Sequence, residues 1–376
     1  MSLGRVIGAV CSVACAAICP AASPSDSAYQ DLIEGAVKKG VPGVQAHVRR
    51  GELRWSGSAG ASSVETKTAM TLTRPIRLAS LTKMMTYAAV IELVKQNRLA
   101  LSDRAIDLLP PATLGGIPYA GDITVNHLLE HKSGLHNFNG EDGADFFRDL
   151  FNDPNRGARR WTPLELVAYA KKSEHKPTGR PGERFAYSST GYMVLQMILE
   201  QIEKKPLNEI YRALLFEPLQ MNATGVEGTD FTTNEIADSY ARPSLSDSVR
   251  PSPFAGRKRI RADGLTNLSA GLRYYNAWAQ SAGAAAAPVT DLERFMDAVI
   301  AGRVEVLSDQ RAQFERSKSN PDRRFSWNGG SWGVQASILC EPASDITTIV
   351  LLNASNAGGT SHEIALDLLK AARRRD

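Results

Sequence analysis

Cysteine is scarce: the 376 residues contain 4, and three of those, Cys11, Cys15 and Cys19, sit near the start. If that start is removed, Cys340 stands alone and no internal disulfide can form. The body of the chain must then be held by its core, not by a covalent framework. A membrane-spanning run is missing as well. The apolar stretch Val6 to Ile18 is too short to cross a bilayer comfortably, so no stable membrane insertion is expected. Charge of one sign is not in excess, with 44 Lys and Arg against 40 Asp and Glu and a net charge of +4. Basic runs at Arg257-Lys258-Arg259-Ile260-Arg261 and Arg373-Arg374-Arg375 come without a nucleic-acid recognition motif and read as solvated surface. There is no internal repeat. The one low-complexity stretch, Ala284 to Ala287, is expected to be a loop.

What remains is ordinary globular composition, 43% hydrophobic and 22% charged, enough for one large domain or two. Residues 1 to about 22 carry the marks of a secretory signal: Arg5, the apolar run, and small residues at Pro20-Ala21-Ala22-Ser23. A large periplasmic or secreted protein is the expectation. Tyr29 to Lys39 reads as a short helix. Val44, Ala46 and Val48 alternate, Arg50-Gly51-Glu52 turns, and Leu53 to Ala59 returns as a hairpin. Strand pattern reappears only at Trp332 to Cys340 and Ile346 to Leu352, followed by an amphipathic helix from about Ser361 to Arg374. The predicted fold is therefore α+β. One antiparallel sheet is built from both chain ends (residues 28–78 and 288–376), around a mainly helical region (79–287).

Ser80-Leu81-Thr82-Lys83 carries the first chemistry. Apolar residues at Leu81, Met84, Met85, Ala88, Ile91 and Val94 predict a buried helix starting at or near Ser80 and running to about Asn97. Ser80 and Lys83 then share a face. A serine becomes a nucleophile only when a base takes its proton. Burial and a helix N-terminus both disfavour a charged lysine, and the same helix end aims N–H groups at a developing oxyanion. Ser173-Glu174-His175-Lys176 has equal spacing, but Pro177 and polar flanks predict a surface loop there. Two later segments add partners. Tyr187, in Tyr187-Ser188-Ser189, precedes an apolar helix, and a phenol beside a lysine ammonium can take up a proton. Trp327-Asn328-Gly329-Gly330, placed at the start of the first late strand, has glycines that admit a substrate, and the Gly330 N–H is a second oxyanion donor candidate.

In this order the three segments resemble those of the penicillin-recognising serine hydrolases. Ser80-Leu81-Thr82-Lys83 looks like their Ser-x-x-Lys, Tyr187-Ser188-Ser189 stands where the class C branch has Tyr-x-Asn, and Trp327-Asn328-Gly329 where it has Lys-Thr-Gly or His-x-Gly. The segment Ile123 to Leu135 and Phe216-Glu217-Pro218-Leu219-Gln220-Met221 are similar too, so the likeness runs from about Gln30 to the C-terminus. The resemblance implies a β-lactamase-like fold. It implies acylation of Ser80, proton shuttling by Lys83 and Tyr187, and an oxyanion held by the N–H groups of Ser80 and Gly330. Ser189 replaces an asparagine that in relatives bonds the substrate amide, and Trp327 replaces a cation that helps bind a substrate carboxylate. Ser189, Trp327, Asn328 and Gly329 are accordingly the candidate substrate contacts. A Trp-x-Gly third segment resembles the family VIII carboxylesterases, which favours a short neutral ester as substrate. A D-amino-acid or oligopeptide hydrolase, a D,D-peptidase and a β-lactamase are the alternatives.

The implied partner is a small-molecule ester or amide, with no nucleic acid, no cofactor and no metal; the sequence carries nothing on oligomeric state. One rival is metal chemistry. His127-Leu128-Leu129-Glu130-His131 fits the inverted zinc-peptidase pattern, whose histidines a helix would put on one face. No third ligand is evident, so this reading stays remote. An α/β-hydrolase, with its strand-to-helix nucleophile elbow, is set aside.

Overall fold

A computed structural model describes residues 24–374 apart from 141–143, 153–158, 173, 244–262, 270–276 and 321. The expected signal segment, Ser173 and the run Arg257 to Arg261 lie outside the described residues. Helix α1, Pro24–Lys38, buries Tyr29, Ile33 and Ala36 at helical spacing. Strands β1, Gly43–Arg50, and β2, Leu53–Ser63, form the expected hairpin, turned at Gly51 with φ +55°. A short β3, Thr68–Ala69, edges it. After β4, Ile76–Arg77, come α2, Thr82–Lys95, α3, Val125–Leu129, and α4, Ser189–Glu203. Strands β5, Gly225–Val226, and β6, Ala285–Ala287, precede the late strands β7, Phe325–Ser331, β8, Val334–Glu341, and β9, Ile346–Leu352. Helix α5, Ser361–Arg373, follows.

Six strands form one antiparallel sheet in the order β3-β2-β1-β9-β8-β7. The two chain ends meet at its centre, where Val44 pairs with Leu352 and Arg50 with Ile346. Both sheet faces are covered, so the central strands are buried on both sides, although β1 carries Gln45 and His47 on the face opposite its valines. Val44, Ala46, Val48, Val350 and Leu352 pack under α1 and α5. Ile349, Leu351 and Ile338 face the helical region. Gln45 also points that way, wholly buried. It is satisfied by donating to the Thr71 and Arg74 carbonyls (2.6 and 2.7 Å) and accepting from Val289 N–H (2.8 Å).

Two expectations need correction. The stretch Trp327 to Gly330, expected at the start of the strand Trp332 to Cys340, belongs to a strand of its own, β7, and Trp332-Gly333 is the turn into β8, with Gly333 at φ +79°. The alanine run is not a loop either. Ala285 to Ala287 form β6, wholly buried between β4 and β5, with Ala287 opposite Ile76 and Ala286 opposite Gly225. Alanine has little strand preference, but its small side chain fits a ribbon packed closely on three sides. Beside this ribbon Arg77 is buried against Glu227. Its Nε and Nη2 donate to the carboxylate at 2.9 and 2.6 Å, and its Nη1 donates to the Ala237 carbonyl and Ser239 Oγ. Such a bidentate pair survives burial because its remaining donors are also bonded.

Candidate active site

Ser80 sits on a single 3₁₀ turn, Ala79–Leu81, that runs directly into α2. The residue before it, Ala79, has φ +46°, a conformation an L-alanine adopts only under constraint. Two neighbours impose it. The Leu78 N–H donates to Ala285 O of β6 at 2.9 Å. On the other side β7 passes so close that a Cβ on Gly329 would lie 2.1 Å from Leu78 O and 3.2 Å from Ser80 N. Only glycine permits that approach.

Lys83 lies one turn on, buried, and its Nζ donates to Ala282 O at 2.8 Å and reaches Ser80 Oγ at 3.4 Å. Burial pushes its pKa below the ordinary lysine value, while Tyr187 opposes the shift. Tyr187, on the loop before α4, has its Oη 2.9 Å from Ser80 Oγ, and its ring centre is 4.9 Å from Lys83 Nζ. The three side chains predicted from separate segments thus converge on one oxygen. A hydroxyl so placed can pass its proton to a phenolate or amine while its oxygen attacks a carbonyl carbon.

Ser80 lies where two lobes of a cleft meet. One, of about 390 Å³, is also lined by Ser189, Gly330, Phe147, Trp278 and Trp332. Phe147 meets both tryptophans edge to face, at 5.8 and 5.0 Å between ring centres. The other lobe, of about 420 Å³, is lined by Lys83, Tyr187, Trp327, Asn328, Glu130 and Lys132, among others. Gly330 faces open space, so a substrate atom can approach its backbone. Trp327 stacks on Phe325 at 5.9 Å. The Asn328 side chain is held within the sheet, donating to Ser326 Oγ and accepting from Ser337 Oγ, both at 2.8 Å. Ser189 is buried at the start of α4, and its N–H donates to Asn137 Oδ1 at 2.9 Å. Gly329 serves as the close-approach point rather than as an open contact.

The metal pattern is not assembled. Helix α3 ends at Leu129, and His131 leaves it with φ +54°. His127 is tied into a capping box with Thr124, whereas the ring of His131 stacks on Tyr187. Among the described residues, the group of His, Cys, Asp and Glu atoms close enough to share an ion is a different one, Asp145, Glu174 and His175. Its Asp145 carboxylate already receives the Lys172 ammonium. The sequence also holds one Gly-x-Ser-x-Gly, Gly329 to Gly333. It lies on the β7–β8 hairpin with no helix after it, so it is not a nucleophile elbow. Asn137 escaped the sequence reading, and His131 entered it only as a candidate metal ligand. His131 lies in the segment Ile123 to Leu135 that resembles the family's link, and Asn137 lies two residues beyond it; the likeness marks a fold and not a role.

Among the described residues no helix is long and apolar enough to cross a membrane. The chain is 26% identical over 219 residues to Protein flp of Staphylococcus aureus (strain MW2), a match covering 57% of this chain and 41% of that protein. It therefore spans well under half of that relative's length. Solved structures share the fold. The D-amino acid amidase from Ochrobactrum anthropi SV3, complexed with D-phenylalanine, superposes with a TM-score of 0.74 at 20% identity, over 94% of this chain and 100% of that one. EstCE1, a hydrolase with promiscuous acyltransferase activity, gives 0.70 at 19% identity, over 92% and 98%. The profile of the Beta-lactamase family matches residues 29–371, and the chain belongs to that family of serine hydrolases.

Proposed function

We propose that the protein is an acyl-enzyme-forming serine hydrolase, and a carboxylesterase on short neutral esters. Ser80 Oγ attacks the ester carbonyl carbon as its proton passes to the Lys83–Tyr187 pair. The N–H groups of Ser80 and Gly330 take the oxyanion. Collapse breaks the ester C–O bond, and the departing alkoxide takes the proton back. Water, or an acceptor alcohol, then repeats the sequence to release the acyl group. The observation that carries the hydrolase reading is the 2.9 Å approach of Tyr187 Oη to Ser80 Oγ beside a buried lysine.

The preference for a neutral ester rests on Trp327. A cation there would form a charge-assisted bond to a substrate carboxylate, worth about 1.5–3 kcal/mol, or roughly ten- to a hundredfold. An indole offers one neutral donor and a broad apolar face. Lys132 lines the same lobe, but Glu130 stands beside it. Short p-nitrophenyl esters should show a higher kcat/KM than any carboxylate-bearing β-lactam or D-alanyl-D-alanine peptide, and Trp327→Lys should narrow the gap. A wild-type preference for the carboxylates, or an unchanged ratio in the variant, defeats the ester reading. The hydrolase reading has its own check. Ser80→Ala should abolish labelling by a serine-directed fluorophosphonate, and Ser173→Ala should leave it intact. If Ser173→Ala is the silent variant, the nucleophile is misassigned.

One observation favours a second reading, an amidase for D-amino-acid amides. The lobe walled by Phe147, Trp278 and Trp332 suits an aromatic side chain, and the fold neighbour from Ochrobactrum anthropi was solved with D-phenylalanine. Hydrolysis of D-phenylalanine amide faster than of p-nitrophenyl butyrate would favour it. On the signal-like start, the proposal includes a periplasmic or secreted location.

A further inference from the structure

We propose that His131 is a positioning residue for Tyr187: it grips three consecutive residues of the Tyr187 loop and so fixes the phenol over Ser80. Its carbonyl oxygen accepts from Ala186 N–H at 2.7 Å. Its Nδ1 accepts from Ser188 N–H at 3.2 Å. Between these two bonds its ring stacks on Tyr187, with ring centres 4.4 Å apart and planes within 29°. The imidazole is itself confined, by Tyr192 of α4 at 5.1 Å and the edge of Phe185 at 5.7 Å.

Tyr187 needs such a hold. The residue is 43% exposed, and no helix or strand contains it. A ring open to water on one side gets its orientation from what lies on the other. The backbone serves the same end: φ of +54° at His131 turns both its carbonyl and its side chain toward residues 186–188.

The arrangement requires an unprotonated Nδ1, because an imidazolium has no acceptor. The surroundings favour that state. The ring is largely buried and faces the Lys83 ammonium from α2, and these two effects lower its pKa to about 4. The other titratable groups around it are the phenols of Tyr187 and Tyr192, with Glu130 and Lys132 adjacent in the chain. A histidine here therefore acts as an aromatic ring and a neutral acceptor together, and His131→Asn and His131→Phe separate the two. Asparagine keeps an acceptor and tolerates the left-handed backbone. Phenylalanine keeps the ring.

This inference rests on the reading that Ser80 is the nucleophile and Tyr187 receives its proton. Each variant should slow fluorophosphonate labelling of Ser80 by about tenfold or more, with KM for p-nitrophenyl butyrate within about threefold of wild type and the melting temperature within a few degrees. Labelling at the wild-type rate in either folded variant overturns the proposal, as does a loss of melting temperature with kcat unchanged. A wild-type measurement stands apart from the variants. In protein labelled with ¹⁵N-histidine, His131, assigned by elimination against the other histidines, should carry its proton on Nε2 and stay neutral from pH 8 to about 5. A proton on Nδ1, or titration near the ordinary 6.5, overturns the acceptor role even if neither variant folds. Undiminished labelling of Ser80→Ala would instead defeat the underlying reading of the nucleophile, so the two failures are distinct.

Discussion

Lys83 and Tyr187 stand on either side of one oxygen, and neither is placed to act alone. Lys83 Nζ is 3.4 Å from Ser80 Oγ, at the edge of hydrogen-bond range, while Tyr187 Oη is 2.9 Å away. Lys83 Nζ lies 4.9 Å from the centre of the phenol ring. Two groups that handle one proton act as a unit. Lys83→Ala and Tyr187→Phe should therefore each lower kcat/KM by several orders of magnitude, and the double variant should be little worse than either. Losses that multiply in the double variant would show two separate roles.

The geometry of Ser80 is set by the strand beside it. Strand β7 lies against the Ala79–Leu81 turn at Gly329, where a Cβ would meet Leu78 O at 2.1 Å. Gly329→Ala must push the strand, and Gly330 with it, away from Ser80. A displacement of about 1 Å costs on the order of a hundredfold in rate, so kcat on an ester should fall by about that factor. Gly35→Ala, in α1 with open space at its Cβ, should leave kcat alone and gain about 0.5–1 kcal/mol in urea unfolding. An active Gly329→Ala enzyme would refute this account of the turn. The same elements show what was legible beforehand. The Ser80 helix and the β1–β2 hairpin were, because periodicity and turn residues are local signals. Tyr187 and Gly330 were placed through the order of segments in a resemblance. β6 was not legible: four alanines carry no strand signal, and their pairing partners lie about 60 and 210 residues away. The β7–β8 division was hidden because the glycine-rich stretch was placed at the start of the strand that follows it, and glycines carry no strand periodicity of their own. The strained Ala79 and the hold of His131 on residues 186–188 arise only from tertiary contacts.

For the whole molecule, two buried histidines set a pH window. Burial lowers the pKa of His47, from β1, and of His131 to about 4 each. In the unfolded chain both would titrate near 6.5. As pH falls from about 6.5 to 4, the unfolded state takes up protons that the folded state refuses, so stability is present above that window and declines through it. Each tenfold difference in proton affinity corresponds to about 1.4 kcal/mol. The urea midpoint should therefore drop steadily between pH 7 and pH 4.5, and His47→Gln should flatten the slope. A midpoint that holds level over that range, or an equal slope in the variant, contradicts it.

The central pairing of β1 with β9 also has a consequence in time. Arg50 and Ile346, the first pair of that ladder, are separated by nearly 300 residues. A ribosome adding about 5–20 residues per second needs roughly 15–60 s to cover that span. Throughout it the hairpin's apolar face, Val44, Ala46 and Val48, has neither β9 nor α5 to cover it, and one edge of β1 stays unpaired. The nascent hairpin thus presents an apolar face and an open strand edge for that whole interval. Gly330 on β7 also emerges after Ser80, Lys83 and Tyr187, so the candidate site is completed only when the last strands arrive.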